Sequence, residues 1–96
     1  MVLDQQELIN AACLFGAREF NTIPDNIEVE LFYDDEWSSP FGAELYFDGR
    51  ELEIDTPKLI AGIRMYLDQY TDVDPMAASI DLQMDEDGTF YANIDE

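Results

Sequence analysis

Phe41-Gly42-Ala43-Glu44-Leu45-Tyr46-Phe47-Asp48-Gly49-Arg50-Glu51-Leu52-Glu53-Ile54 is the stretch that decides the fold. Apolar and polar residues alternate on both sides of Asp48-Gly49, which is the period of a half-buried strand. Asp-Gly is a favoured two-residue hairpin turn because both of its positions tolerate positive φ. A turn there sets the register: Phe47 faces Arg50, Leu45 faces Leu52, and Ala43 faces Ile54. Ala43, Leu45, Leu52 and Ile54 then form the apolar centre of one sheet face. Glu44 and Tyr46 share the other face with Glu51 and Glu53. A slip of one residue would expose Leu52 and bury Glu51, so the register is strongly specified.

On the N-terminal side, Ile27-Glu28-Val29-Glu30-Leu31-Phe32-Tyr33 alternates in the same way. Ile27, Val29, Leu31 and Tyr33 point to one side, and Glu28, Glu30 and Phe32 to the other. The acidic turn Asp34-Asp35-Glu36-Trp37-Ser38-Ser39-Pro40 connects this strand to the hairpin. Further upstream, Leu8, Ala12 and Phe15 recur at helical spacing, with Ile9 and Ala11 widening the face. Asp4 and Glu7 stand at the capping-box spacing in its Asp form. Asn21-Thr22-Ile23-Pro24-Asp25 ends that helix, since Pro24 cannot continue it.

On the C-terminal side, Thr56-Pro57 opens a second helix, with Thr56 as the expected cap and Pro57 preorganised for the first position. Leu59, Ile60, Ile63, Tyr66, Leu67 and Tyr70 make its apolar face, and Gly62 allows close packing. Residues 71–75 form a loop. Ile80, Leu82 and Met84 alternate with Asp81 and Gln83 in a further strand. Asp85-Glu86-Asp87-Gly88 reads as a hairpin connection, and Phe90, Ala92 and Ile94 mark the last strand. The expected fold is therefore α+β, in the order α-β-β-β-α-β-β. The sheet is mainly antiparallel and both helices pack on one face. The whole span 1–96 is expected to form one acidic domain.

Charge sets the chain apart. It has 23 Asp plus Glu residues against 4 Lys plus Arg, a formal net charge of -19 at pH 7. Such a surface repels nucleic-acid phosphates and anionic lipid, so neither direct nucleic-acid binding nor membrane binding is expected. It attracts basic proteins and divalent cations. The apolar fraction of 47% and its periodicity argue against the disorder that charge alone would imply. There is no His, which removes imidazole-based zinc sites and His-dependent triads. The single cysteine, Cys13, sits in an apolar run and is expected to be a buried core thiol. No stretch resembles a signal peptide or a membrane span, which makes the cytoplasm the default location.

Val29-Glu30-Leu31-Phe32-Tyr33-Asp34-Asp35, Phe41-Gly42-Ala43-Glu44-Leu45-Tyr46, Asp48-Gly49-Arg50 and the Val73-Asp74-Pro75 turn before Ile80-Asp81-Leu82 carry a resemblance. They resemble a small family from Bacillus-type bacteria, domain of unknown function 2653. The resemblance implies a cytoplasmic bacterial domain with no assigned reaction, and it carries no functional residues over. The early element order is also similar to that of double-stranded-RNA-binding domains. The two final strands and the missing basic patch argue against that reading.

Each candidate site has a plain structural alternative. Asp34-Asp35-Glu36 supplies charge for a hard cation, but neighbouring residues at a strand end diverge, so a solvated turn is the stronger reading. Asp85-Glu86-Asp87-Gly88 fails the EF-hand spacing because residue 94 is Ile. No feature selects a carboxylate pair for acid–base catalysis among so many acids. Arg18, Arg50, Lys58 and Arg64 are expected to form structural ion pairs. Tyr33, Trp37 and Phe41 surround Ser38-Ser39-Pro40 and either cover the core or anchor an interface.

These readings favour a non-catalytic protein-binding or regulatory domain, without catalytic residues, metal or cofactor. Its contact surface would comprise Glu28, Glu30, Phe32, Asp34, Asp35, Trp37, Tyr46, Glu51 and Glu53. Its partner would be a basic protein or a second copy of the chain. One alternative is an inhibitor that imitates nucleic-acid charge and occupies a basic groove. Another is a small ligand-binding domain or enzyme, with a cleft near residues 33–41 against the second helix.

Overall fold

Asp48 and Gly49 take positive φ of 51° and 76°, so the two-residue turn forms at the position the sequence favours. It joins β3 (Phe41–Phe47) to β4 (Arg50–Ile54). Phe47 lies opposite Arg50, Leu45 opposite Leu52, and Ala43 opposite Ile54, which is the expected register. A computed structural model describes residues 1–96. Its remaining elements are β1 (Val2–Leu3), α1 (Gln5–Phe20), a 3-10 turn (Pro24–Asn26), β2 (Glu28–Tyr33), α2 (Thr56–Tyr70), β5 (Ser79–Met84) and β6 (Phe90–Asp95). The α+β class and the order of helices and longer strands agree with the sequence reading.

The strands divide into two antiparallel three-stranded sheets, ordered β2-β3-β4 and β1-β6-β5. Each pairs sequence neighbours through a hairpin. The one long-range pairing is β1 with β6, where Leu3 faces Ala92 and the Ile94 amide donates to the Met1 carbonyl at 2.8 Å. Two residues are too short for a period-2 pattern, so β1 leaves no trace in the alternation. The sheets are separate because α2 interrupts the chain between the hairpins and packs back on β3 and β4.

Asp4 caps α1 through its side chain, which accepts from the Glu7 amide at 2.8 Å. Glu7 Oε1 accepts from the Asp4 amide in return at 3.1 Å, completing the expected capping box. Thr56, in contrast, does not cap α2. Asp55 does, accepting from the Lys58 amide at 3.2 Å, while the Thr56 hydroxyl donates to the Phe41 carbonyl. The acid one position earlier reaches the free amides, and Thr56 is instead drawn to the end of β3.

Both helices lie against one face of the β2-β3-β4 sheet, and α1 also meets β6. Leu3, Leu8, Leu45, Ile54, Leu59, Ile63 and Leu67 are fully buried in a core that draws on both sheets and both helices. Gly62 sits where the helices cross. A Cβ there would lie 2.7 Å from the Ala11 carbonyl oxygen, so the absence of a side chain sets the helix separation.

Candidate acidic sheet face

Strand pairing decides what the outer face of β2-β3-β4 displays. Glu28 lies opposite Tyr46, and Tyr46 opposite Glu51. Glu30 lies opposite Glu44, and Glu44 opposite Glu53. Directly paired residues share a face, so Glu28, Glu30, Glu44, Glu51 and Glu53 project from the side turned away from the helices. At about 3.4 Å per residue, successive glutamates on one strand are about 6.8 Å apart, and adjacent strands about 4.8 Å apart. Glu44 occupies the centre of the array. It belongs to the alternation of β3 but lay outside the contact surface expected from sequence.

Phe32 and Trp37 lie at one end of this face, and Tyr46 lies at the other, between Glu28 and Glu51. Phe32 lies opposite Gly42, and a Cβ on Gly42 would come within 2.6 Å of the Phe32 ring. Glycine thus leaves room for the ring and for the Ile54 carbonyl oxygen, which the same Cβ would also approach to 2.6 Å. Trp37 meets Phe32 edge-on, with centroids 5.3 Å apart, and remains 36% exposed. Tyr33 keeps the expected side, opposite Phe41, but at the end of the strand it is not covered. It is 43% exposed and packs edge-on against Phe41 at 5.1 Å, and Phe41 meets Phe90 at 6.0 Å. Tyr46 donates its hydroxyl to Glu44 Oε2. That bond, with the charges of Glu44, Glu30 and Glu51, pushes the Tyr46 phenol up to about 12.

The acids of the turn behave differently. Asp34 Oδ1 accepts from the Glu36 amide at 3.0 Å, which closes the turn locally, and Asp35 and Glu36 are exposed. Asp85 Oδ1 similarly accepts from the amides of Asp87 and Thr89, holding the β5–β6 hairpin. No group of three or more acids or thiols converges on a common point.

The three arginines correct the expectation of ion pairs. Arg50 follows the turn on the helix-facing side, and its guanidinium stacks over Phe20 at 5.0 Å and Phe47 at 5.4 Å. Arg18 lies over Phe15 at 5.4 Å. Arg64 donates to the carbonyls of Pro75 and Ala78, tying α2 to the segment before β5. Aromatic faces and backbone carbonyls hold these cations; Arg50, for one, projects to the face opposite its strand neighbours Glu51 and Glu53.

Two depressions flank Trp37. One, of about 310 Å³, is lined by Phe32, Tyr33, Asp34, Trp37, Glu44 and Glu53. The other, of about 620 Å³, runs between the 34–40 turn and the start of α2, past Ser38, Ser39, Asp55 and Lys58. It lies where sequence reasoning placed a cleft. Its wall includes Trp37, and Lys58 is its one cation.

Cys13 also departs from expectation. It is half-buried, and its thiol donates to the Ile27 carbonyl at 3.6 Å. Burial first, and then the Asp25 charge, push the thiol up from its usual 9.0. Tyr70, expected on the apolar face of α2, is 63% exposed.

No helix of the chain is long and apolar enough to cross a membrane. No solved structure matches the chain. An uncharacterised protein of Bacillus subtilis (strain 168), YxcD, is 27% identical over 93 residues, spanning 96% of this chain and 89% of the relative. Residues 1–87 match the model of a family described as protein of unknown function DUF2653, and the chain belongs to that family.

Proposed function

We propose that this chain is a non-catalytic binding protein whose outer sheet face docks a basic protein. The supporting observation is the register that gathers Glu28, Glu30, Glu44, Glu51 and Glu53 on one face while Arg50 is sent to the other. Like charges directly opposite one another weaken a sheet, and Glu30, Glu44 and Glu53 form such a row. A cationic partner removes that cost on binding and gains long-range steering from the net charge. Phe32 and Trp37 at one end of the patch, and Tyr46 at the other, add apolar area.

A nucleic-acid mimic is the second reading, favoured by the ~6.8 Å repeat along each strand, which approaches phosphate spacing. The array holds only Glu28 and Glu30 on β2, Glu44 on β3, and Glu51 and Glu53 on β4. That short array fits a few lysine or arginine side chains better than a groove evolved for a duplex.

The test is affinity capture from native bacterial lysate, read by mass spectrometry at low and moderate salt. The face variant Glu28→Gln/Glu30→Gln/Glu51→Gln/Glu53→Gln is compared with a control of equal charge, Asp68→Asn/Asp72→Asn/Asp85→Asn/Asp87→Asn. A stoichiometric basic protein should be retained by wild type and control, lost by the face variant and weakened by salt. Equal capture by both variants, or no partner at either salt, would refute the proposal.

A further inference from the structure

A second surface, on the helical side, has a different character. One face of α1 forms its floor through Ile9, Cys13 and Leu14, at i, i+4 and i+5. Tyr66 and Tyr70 of α2 form one flank, and Asp25 of the 3-10 turn lies on the other. The groove encloses about 510 Å³, within the range of about 300–1,000 Å³ typical of small-ligand sites. Ile27 ties the groove to the core, while Leu14 is buried beneath the groove and outside the core cluster.

The two tyrosine rings lie 5.1 Å apart, tilted by 39°. Tyr66 donates its hydroxyl to Glu7 Oε2 at 3.0 Å, and burial first, then this bond, push the phenol up from its usual 10.0, so the ring stays neutral. No lysine or arginine lines the groove. Aromatic faces beside a carboxylate, over an apolar floor, are complementary to a cation with a hydrocarbon body. A neutral ligand would forgo the Asp25 and Glu7 charges, and an anion would be repelled. A second copy of the chain, itself carrying -19, is disfavoured by the same field.

We infer that this groove is a binding site for a small organic cation with an apolar body, its charge held by Tyr66, Tyr70 and Asp25. The inference is independent of the sheet face, which lies on the other side of β2-β3-β4.

Cys13 is a native reporter inside the groove. Its alkylation by iodoacetamide is followed with increasing benzyltrimethylammonium, and separately with benzyl alcohol and phenylacetate. Benzyltrimethylammonium should slow alkylation saturably, and the neutral and anionic compounds should not. Tyr70→Ala, at an exposed position that leaves the core intact, and Asp25→Asn should each raise the half-saturating concentration about fivefold. Glu28→Gln/Glu30→Gln, on the sheet face, should leave it unchanged. Absence of saturable protection, equal protection by phenylacetate, or an unchanged half-saturation in Tyr70→Ala would overturn the inference.

Discussion

Replacing Gly62 by Ala sets two physical effects against each other. Helix propensity alone favours alanine by about 0.8–1.0 kcal/mol in a helix interior. The tertiary contact opposes it. The added Cβ would stand 2.7 Å from the Ala11 carbonyl oxygen and 3.3 Å from both the Ala11 carbonyl carbon and Phe15 Cβ. The closest atom is backbone in the middle of α1, so no side-chain rotation relieves it and the helices must separate by several tenths of an ångström. Ala11 and Phe15 are both buried, and the separation loosens their packing against the sheet. Overpacking costs about 1–3 kcal/mol, and a backbone obstacle places this site in the upper part of that range. The net expectation is destabilisation by about 1–2 kcal/mol, or a fall in Tm of about 5–15 °C for a domain of this size. Urea and thermal melts followed by far-ultraviolet circular dichroism measure it. Gly16→Ala is the internal comparison. Its Cβ would meet the Ile27 and Leu45 methyl groups at 3.1 Å, and these can shift, so its loss should be smaller. A Gly62→Ala midpoint equal to or above wild type would refute the reasoning, because propensity would then outweigh the helix crossing.

Asp55→Ala should cost about 1 kcal/mol in urea melts, as loss of an N-cap does, and Thr56→Ser should cost little. An unaffected Asp55→Ala would return the cap to Thr56. Raising NaCl from about 10 to about 150 mM, which shortens the Debye length from about 30 to about 8 Å, should raise Tm by relieving self-repulsion. A steady fall in Tm over that range would contradict the role given to net charge. Tyr46 should ionise near pH 12 by ultraviolet difference titration against Tyr46→Phe, and Glu44→Gln should bring it back towards the usual 10.0. The folded state binds the Tyr46 proton more tightly than the unfolded chain does. Its contribution to stability is therefore full below pH 10.0 and is lost as pH rises towards about 12.

The hairpin was legible because two independent signals coincide there. Asp48-Gly49 demands positive φ, and the alternation on both sides permits one register. The helices were legible from their 3.6-residue period, and α1 also from its capping box. What escaped were features without periodicity. The pairing of β1 with β6 joins segments about ninety residues apart, and only the tertiary fold brings them together. The groove escaped for a related reason. Cys13 and Tyr70 sit on faces that read as core in each helix taken alone, yet the helices cross closely at Gly62 and leave Tyr70 beyond the contact. Sequence assigned the arginines to ion pairs because acids surround them along the chain. The fold instead places rings and carbonyls against them.

Arg50 shows how the fold concentrates charge that composition merely supplies. It is bonded directly to Glu51, yet successive strand residues point to opposite faces. One peptide unit is enough to send the guanidinium to Phe20 and Phe47 on the helix side and the carboxylate to the outer face. The same parity places Glu28, Glu30, Glu44 and Glu53 with Glu51. A chain that needed negative charge only for solubility would gain most by interspersing it with cations and avoiding like charges opposite one another. This sheet does the reverse across the Glu30, Glu44 and Glu53 row, and the Tyr46 hydroxyl is the one donor placed to soften it. A cationic side chain laid across that row would relieve the repulsion that the folded chain alone leaves in place. The row of opposed glutamates is therefore a stronger argument for a cationic partner than the net charge of the whole chain.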